Sequence, residues 1–259
     1  MNRTLDGESP LDSSVARRSD SPLARWGLLI TEMVLIVASI LLAFALDSWW
    51  DERKDRVEEQ AILQGLREEF ELNRTLLERR VAQHTREQAE VEILRAATVS
   101  GAWTSADLDL DAALAAMLSP PTTDLGNGVL DALISSGRIE LLQNRELRAQ
   151  LAAWRGVIDE VLDDEQINRD LVFDRTIPYF IAEGIPLSGP MSYWSDDWGD
   201  TARSLGDDPE AVARLLGDPR FKVLLEARLG FRYHTSGEYR TALEAVDDLL
   251  AEIDRSLGN

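Results

Sequence analysis

Residues 27–46 read GLLITEMVLIVASILLAFAL, and this stretch decides the fold. It holds twenty residues and one charged side chain, Glu32. At about 1.5 Å of rise per residue, a helix of that length spans about 30 Å, the thickness of the hydrocarbon layer of a bilayer. Tryptophan prefers the membrane–water interfaces, and three tryptophans flank the stretch: Trp26, Trp49 and Trp50. The sequence therefore predicts a transmembrane anchor over residues 25–50, with these tryptophans as its interface belt.

A cleaved signal peptide is the competing interpretation of this stretch. Ala43-Phe44-Ala45 matches the small-x-small cleavage pattern, and arginines lie upstream. The apolar core of a signal peptide is usually shorter, about 7–15 residues, whereas a long polar leader precedes this stretch and a glutamate interrupts it. These differences favour an uncleaved anchor.

The charges that flank the anchor bear on its direction. Three cations precede it and three follow it, so the positive-inside count is equal: Arg17, Arg18 and Arg25 against Arg53, Lys54 and Arg56. Acids are interleaved with the cations on the carboxyl side, and the short leader needs no translocation if it stays inside. We therefore expect the amino terminus in the cytoplasm and the C-terminal domain on the other side of the membrane.

Glu32 is an ionisable residue within the predicted anchor, and such residues are usually functional or paired. At 100° per residue it shares a helix face with Ser39 and Ala43, which form a small-x-x-x-small pair that lets two helices approach closely. The face of Glu32, Ser39 and Ala43 is therefore a predicted helix-pairing face. The alternative is that Glu32 snorkels or is neutral, without a partner.

The chain is strongly acidic, with a formal net charge of -20, and it contains no cysteine. Negative charge repels nucleic-acid phosphates and anionic lipid headgroups, so we expect no nucleic-acid partner. Disulfides and cysteine-ligated metals are excluded. The two histidines, His84 and His234, lack the paired spacing of a zinc helix and are predicted to be solvated, so we expect no metal or other cofactor.

The sequence beyond the anchor shows helical spacing and no alternating strand pattern. Glycine and proline are absent after Asp47 until Gly65, and again until Gly101, so the membrane helix is predicted to continue. Its apolar stripe is interrupted by polar residues, which favours packing on neighbouring helices over a coiled coil: Asn73, Arg80 and His84.

Capping residues and helix breakers divide the remainder into further helices. The predicted boundaries are a start at Thr104 or Ser105 and an end at Leu118, a short helix from about Val129 to Gly137, a run from Asn144 to about Ala182 kinked by Pro178, and starts at Asp208 and Asp218. The predicted fold class is all-α, one transmembrane helix continuing into an elongated antiparallel bundle of long helices. Residues 1–24 are predicted to be a disordered tail and residues 51–259 an acidic helical bundle domain.

The segment 182–206 is rich in glycine and proline and is predicted to be a loop. Within it, aromatic and acidic residues form a candidate contact site for a sugar, cation or peptide: Tyr193, Trp194, Asp196, Asp197, Trp198 and Asp200. The alternative is that the aromatic rings close the end of the bundle, because a loop this long needs packing of its own.

No catalytic signature is present in the sequence. A glycine-rich phosphate loop and a nucleophile elbow are both missing. The acidic runs at 163–165 and 247–248 contain neighbouring residues that point to different faces of a helix, so they are predicted to be solvated. We therefore expect that the protein is not an enzyme.

The chain, over about its first 160 residues, resembles a family of uncharacterised bacterial single-pass membrane proteins with a helical domain of unknown function. The resemblance lies in a glutamate near the start of the anchor, in Trp49 with the basic residues after it, and in the Ser135-Ser136-Gly137 turn before a helix. Ser39 stands where a glycine is expected. The resemblance implies a location in a bacterial inner membrane and supplies no activity.

These observations predict a membrane-anchored, non-enzymatic helical scaffold or interaction protein that self-associates through its anchor. The expected partners are the lipid bilayer and either a second copy of the chain or another membrane protein. The alternative is an extracytoplasmic sensing or ligand-binding module that uses the loop 192–200.

Overall fold

The computed structural model describes residues 22–101, 103, 108–195, 197 and 201–258, and these residues form helices and connecting turns with no strand. The predicted all-α class is confirmed. The helices are α1 (Pro22–Ser100), α2 (Leu110–Leu118), α3 (Gly128–Ser135), α4 (Arg145–Leu171), α5 (Ile177–Ala182), α6 (Ser188–Met191), α7 (Pro209–Gly217) and α8 (Pro219–Leu257). Shorter turns of 3-10 helix cover Arg138–Leu141 and Leu205–Asp207, and a π-helical turn covers Val172–Thr176.

The chain divides into two compact units, Met1–Arg56 and Val57–Asn259. In the first unit, every side chain that the structure describes is exposed. One helix among the described residues, Ile30–Ser100, is long and apolar enough to cross a membrane by length and composition. None of its most apolar 18-residue window is buried. The first 21 residues, most of the predicted tail, lie outside the described residues.

The second unit is built from three long helical segments: the part of α1 after Arg56, α4 and α8. Helix α8 runs antiparallel to α1 and to α4. Side chains on α1 meet α8 in reverse order along the chain, as do side chains on α4: Arg67 with Asp254, Arg80 with Tyr239, Asn144 with Ser256, and Asn168 with Thr235. It follows that α1 and α4 run in the same direction, with α2 and α3 on the connection between them.

Two apolar clusters form the interior of this second unit. One contains residues from 62–77 of α1, the first half of α4 and the second half of α8, with Phe70 packed edge-on against Trp154 at 5.4 Å between ring centroids. The other contains residues from 91–97 of α1, α2, α5, α7 and the first half of α8. Burial of these apolar surfaces is the main stabilising contribution to the unit.

Several predicted helix ends agree with the structure because they depend on local capping. The side chain of Asn144 accepts hydrogen bonds from the backbone N–H groups of Glu146 and Leu147, and Asp208 and Asp218 cap α7 and α8 in the same way. Gly137 has a φ of 72°, the left-handed conformation expected after a helix C-terminus.

Other predicted boundaries were wrong. α2 begins at Leu110 with Asp109 as its cap rather than near residue 104, and the predicted caps at 104 and 105 lie outside the described residues. The predicted loop 182–206 contains α6 and the start of a 3-10 turn. By contrast, the run predicted from Arg145 to about Ala182 does end at Ala182. Its last turns are interrupted just before Pro178 by the π-helical turn, because proline offers no N–H to the carbonyl four residues earlier and its ring clashes there.

Candidate functional site

The predicted functional residues of the anchor all lie exposed on α1. Glu32, Ser39 and Ala43 keep the shared face that their spacing predicts. The hydroxyl of Ser39 donates to the carbonyl of Leu35 at 2.7 Å, so its polar group is satisfied within the helix. A second helix could therefore approach this face without leaving that hydroxyl unpaired.

The tryptophans of the predicted interface belt are also exposed. Trp26 lies near the start of α1, and Trp49 and Trp50 follow the apolar stretch with ring centroids 6.5 Å apart. Their exposed indole rings could lie at a membrane–water interface, where the apolar ring contacts lipid and the indole N–H donates a hydrogen bond.

The aromatic and acidic loop is only partly described. Tyr193 and Trp194 are exposed, whereas Asp196, Trp198 and Asp200 lie outside the described residues. The Tyr193 hydroxyl donates to the carboxylate of Asp109, the cap of α2, and burial together with this bond raises the pKa of Tyr193 to about 12. Asp197 forms hydrogen bonds with Ser195. Tyr193 thus holds the loop to α2, and a ligand contact in this loop stays a prediction.

The sequence missed a buried group of polar side chains, which we call the polar layer. On α1 its residues lie between the residues of the two apolar clusters, on α4 they lie between one cluster and the π-helical turn, and on α8 they overlap the ends of both clusters. Its members are Arg80, His84, Glu87, Glu165, Asn168, Arg228, Arg232, Thr235 and Tyr239. A charged side chain is rarely buried without partners, so each member needs an account of its hydrogen bonds.

Two fully buried arginines of the polar layer bind the C-terminus of α2. Arg228 Nε donates to the carbonyl of Met117 at 3.0 Å, and Arg232 Nη2 donates to the carbonyl of Ala116 at 2.6 Å. The last carbonyls of a helix have no partner within it and carry the negative end of its dipole, so guanidinium groups stabilise them. Arg232 also pairs with Glu87 at 3.1 Å. These contacts fasten α2 to α8 and α1.

Glu165 was predicted to be solvated, and this prediction was wrong, because only 1% of the residue is exposed. Its carboxylate accepts the backbone N–H of Thr123 at 3.1 Å and the hydroxyl of Tyr239 at 2.7 Å. Burial and the charge of Glu165 raise the pKa of the Tyr239 phenol. Arg80 Nε donates to the same phenol oxygen at 3.3 Å. The acidic pair at 247–248 is exposed as predicted.

His84 was also predicted to be solvated, and it is buried, with 1% of its surface exposed. Its Nε2 lies 3.0 Å from the carbonyl of Arg232, which fixes the proton on that nitrogen. Burial and then the charge of Arg232 lower the pKa of His84 to about 4. His234 is exposed, as the sequence predicts.

The polar layer encloses little free space. A cavity of about 30 Å³ touches His84 and Tyr239, which is room for little more than water. No group of three or more metal-ligating side chains occurs among the residues that the structure describes. Arg228 and Arg232 bind backbone carbonyls and Arg232 pairs with Glu87, whereas Arg80 donates to the Tyr239 phenol. Three buried nitrogens of the layer have no hydrogen-bond partner among the described residues: Arg80 Nη2, His84 Nδ1 and Arg232 Nε. The layer therefore fixes how the long helices and α2 meet.

Comparisons with known proteins add no assignment. No protein family, no curated protein and no solved structure matches this chain. The resemblance to bacterial single-pass membrane proteins stays a prediction.

Proposed function

We propose that this chain is a non-enzymatic, single-pass membrane protein in which residues 25–50 anchor a helical interaction domain to the bilayer. The observation that supports the anchor is the complete exposure of the most apolar 18-residue window of α1. A continuous apolar surface of this size is unfavourable in water and is typical of contact with a membrane or a partner. The second unit contains its own two apolar clusters.

The proposed role of the second unit is interaction or scaffolding. Its buried side chains Arg228, Arg232 and Glu165 bind the end of α2 and other buried groups of the unit, which supports a framework that holds a surface in place. The anchor also contributes to assembly, because the face of Glu32, Ser39 and Ala43 is suited to a second transmembrane helix. We propose a bacterial inner membrane as the location, with the amino terminus in the cytoplasm.

The anchor is tested by alkaline extraction of membranes from cells that express the full chain. We expect the chain to stay in the membrane pellet at its full mass. The double variant V37R/L41R places two arginines in the apolar stretch, each costing about 3 kcal/mol near the bilayer centre, and should be released. The matched control is V223R, an exposed valine of α8.

Two results would overturn the proposal. One is release of the unaltered chain from the membrane at alkaline pH. The other is a mass of the mature chain that corresponds to a start at Leu46, after Ala45, which would identify the apolar stretch as a cleaved signal peptide.

A further inference from the structure

A groove in the second unit lies beside α7, and none of the residues that line it belongs to the polar layer. It encloses a cavity of about 270 Å³ between the end of α5, the chain at 184–186 and 203–205, α7 and the start of α8. Drug-sized ligands occupy pockets of about 300–1,000 Å³, so this groove suits a smaller molecule.

The floor of the groove is part of a packed core. Ile185, Leu205 and Leu215 line it, belong to the buried cluster around α2, α5 and α7, and are each exposed by 9% or less, so they present only a small apolar surface to a ligand. Tyr179 forms a wall, and its ring stacks on Phe221 with 18° between the ring planes. These contacts form the groove before any ligand arrives, so little ordering of the protein is needed for binding.

The acidic residues of the groove are engaged with other groups. Asp218 accepts the Tyr179 hydroxyl at 2.9 Å and pairs with Arg220 at 2.8 Å, and Glu183 pairs with the same guanidinium at 2.8 Å. The carboxylate of Asp208 accepts two backbone N–H groups at the start of α7. Their charge is therefore balanced by Arg220 and by the positive end of a helix.

The two arginines that line the groove, unlike its acidic residues, have side chains that are not engaged with other groups among the described residues. Arg203 and Arg214 both line the cavity and are exposed. Neither guanidinium forms a hydrogen bond or ion pair within the part of the chain that the structure describes. A guanidinium presents parallel N–H donors that match a carboxylate, and such charge-assisted hydrogen bonds are among the stronger ones in proteins.

We propose that this groove binds a small organic anion, with a carboxylate held by Arg203 and Arg214 and an apolar body on the floor formed by Ile185, Leu205 and Leu215. The combination of an apolar floor, engaged acids and two unengaged arginines supports this class of ligand. The proposal goes beyond membrane anchoring and does not depend on it, because all of these residues lie in the second unit.

Isothermal titration of the full chain in detergent, at low ionic strength, tests the ligand class with matched probes. The probes are benzoate, its neutral analogue benzamide, its cationic analogue benzamidine, and inorganic phosphate. We expect saturable binding of benzoate to one site, at least about tenfold tighter than binding of the other three. Benzamide and benzamidine lack the negative charge, and phosphate lacks the apolar body.

Substitutions then locate the site. R203Q and R214Q should each weaken benzoate binding about tenfold or more, because each removes a charge-assisted hydrogen bond. R79Q makes the same charge change at an exposed position of α1 and should leave binding unchanged. A211W should abolish binding by filling the groove, whereas A213W, an exposed alanine on another face of α7, should preserve it.

The proposal is overturned if benzoate shows no saturable binding up to about 10 mM. It is also overturned if benzamidine or phosphate binds as tightly as benzoate, or if R79Q weakens binding as much as R203Q does. Circular dichroism of each variant identifies any loss of binding that comes from unfolding. R203Q, R214Q and R79Q change only a charge at an exposed position, so the test still holds if A211W does not fold.

Discussion

The imidazole of His84 has a pKa of about 4 in the folded protein, against 6.5 when it is free. Between these values the unfolded chain binds a proton that the folded chain does not, so stability falls as the pH drops from 6.5 towards 4. The shift corresponds to about 3 kcal/mol at its full extent. We predict that H84Q removes this part of the acid destabilisation, measured by urea unfolding at pH 7 and at pH 4.5.

The control for this prediction is H234Q, which removes the other histidine of the chain, an exposed one, and the role of His84 requires that H84Q reduce the acid destabilisation more than H234Q does. Carboxylates also bind protons as the pH falls towards 4.5. The informative quantity is therefore the loss of unfolding free energy between pH 7 and pH 4.5, compared between the unaltered chain and each variant. An identical loss of unfolding free energy in the unaltered chain and in H84Q would contradict the predicted role of this histidine.

Arg228 is fully buried, and its partners are mainly backbone carbonyls. Replacing a buried ionic group together with its partners by apolar residues is often tolerated, but a backbone carbonyl cannot be replaced. We therefore predict that R228M takes the guanidinium donor away from the Met117 carbonyl and from the Asn168 side-chain oxygen, whereas the Ser119 carbonyl keeps Arg232 as a donor, and that it lowers the unfolding free energy by about 3 kcal/mol or more. R79M, at an exposed position, should change it by less than about 0.5 kcal/mol.

The polar layer was missed because sequence analysis identifies a buried helix face by its apolar residues. Arg80 and His84 keep the three- and four-residue spacing that joins Leu77 to Val91 on the buried face of α1, yet by chemistry alone they interrupt the stripe. Their partners lie on α8, more than 140 residues away for His84. A stripe that keeps its spacing through polar residues is the signal that could have indicated burial.

At the scale of single elements, helix ends were predictable where the cap is local. Asn144, Asp208 and Asp218 each bond backbone groups two or three residues ahead, so the short sequence contains both partners. The start of α2 was mispredicted because several residues before Leu110 could cap a helix. The π-helical turn between α4 and α5 was not predicted, although its cause, Pro178, was identified.

The proposed pairing of two anchor helices through the face of Glu32, Ser39 and Ala43 can be tested by cysteine cross-linking. The chain has no cysteine, so single substitutions S39C and A43C introduce unique thiols on the proposed pairing face. We predict that both form disulfide-linked dimers in membranes under mild oxidation. The control L41C lies about 160° to 200° around the helix from these positions and should cross-link much less.

Equal cross-linking at the three positions would contradict a specific pairing face. E32L in the background of S39C separates the contribution of the carboxyl group from that of close packing. If the protonated or hydrogen-bonded carboxyl holds the pair, dimer yield falls in this variant, whereas packing of the small residues alone leaves the yield unchanged.

At the scale of the whole chain, the all-α class followed from helical periodicity and the absence of alternation. The directions of the long helices could not be derived with the same detail, because α1 and α4 run parallel and their connection passes through short helices. The groove beside α7 was also beyond the sequence. It joins residues from 179 to 218 that meet only once α5, α7 and α8 are packed.

The division of the chain between Arg56 and Val57 allows a prediction for the isolated second unit. Both apolar clusters and the polar layer consist of residues after that boundary, so a chain of residues 51–259 keeps every buried contact described for the unit. We predict that it folds cooperatively in water without detergent and is absent from membranes. Its free energy of unfolding should agree with that of the full chain in detergent within about 1 kcal/mol. Aggregation, or unfolding without cooperativity, would mean that the anchor takes part in the fold of the domain and does more than attach it.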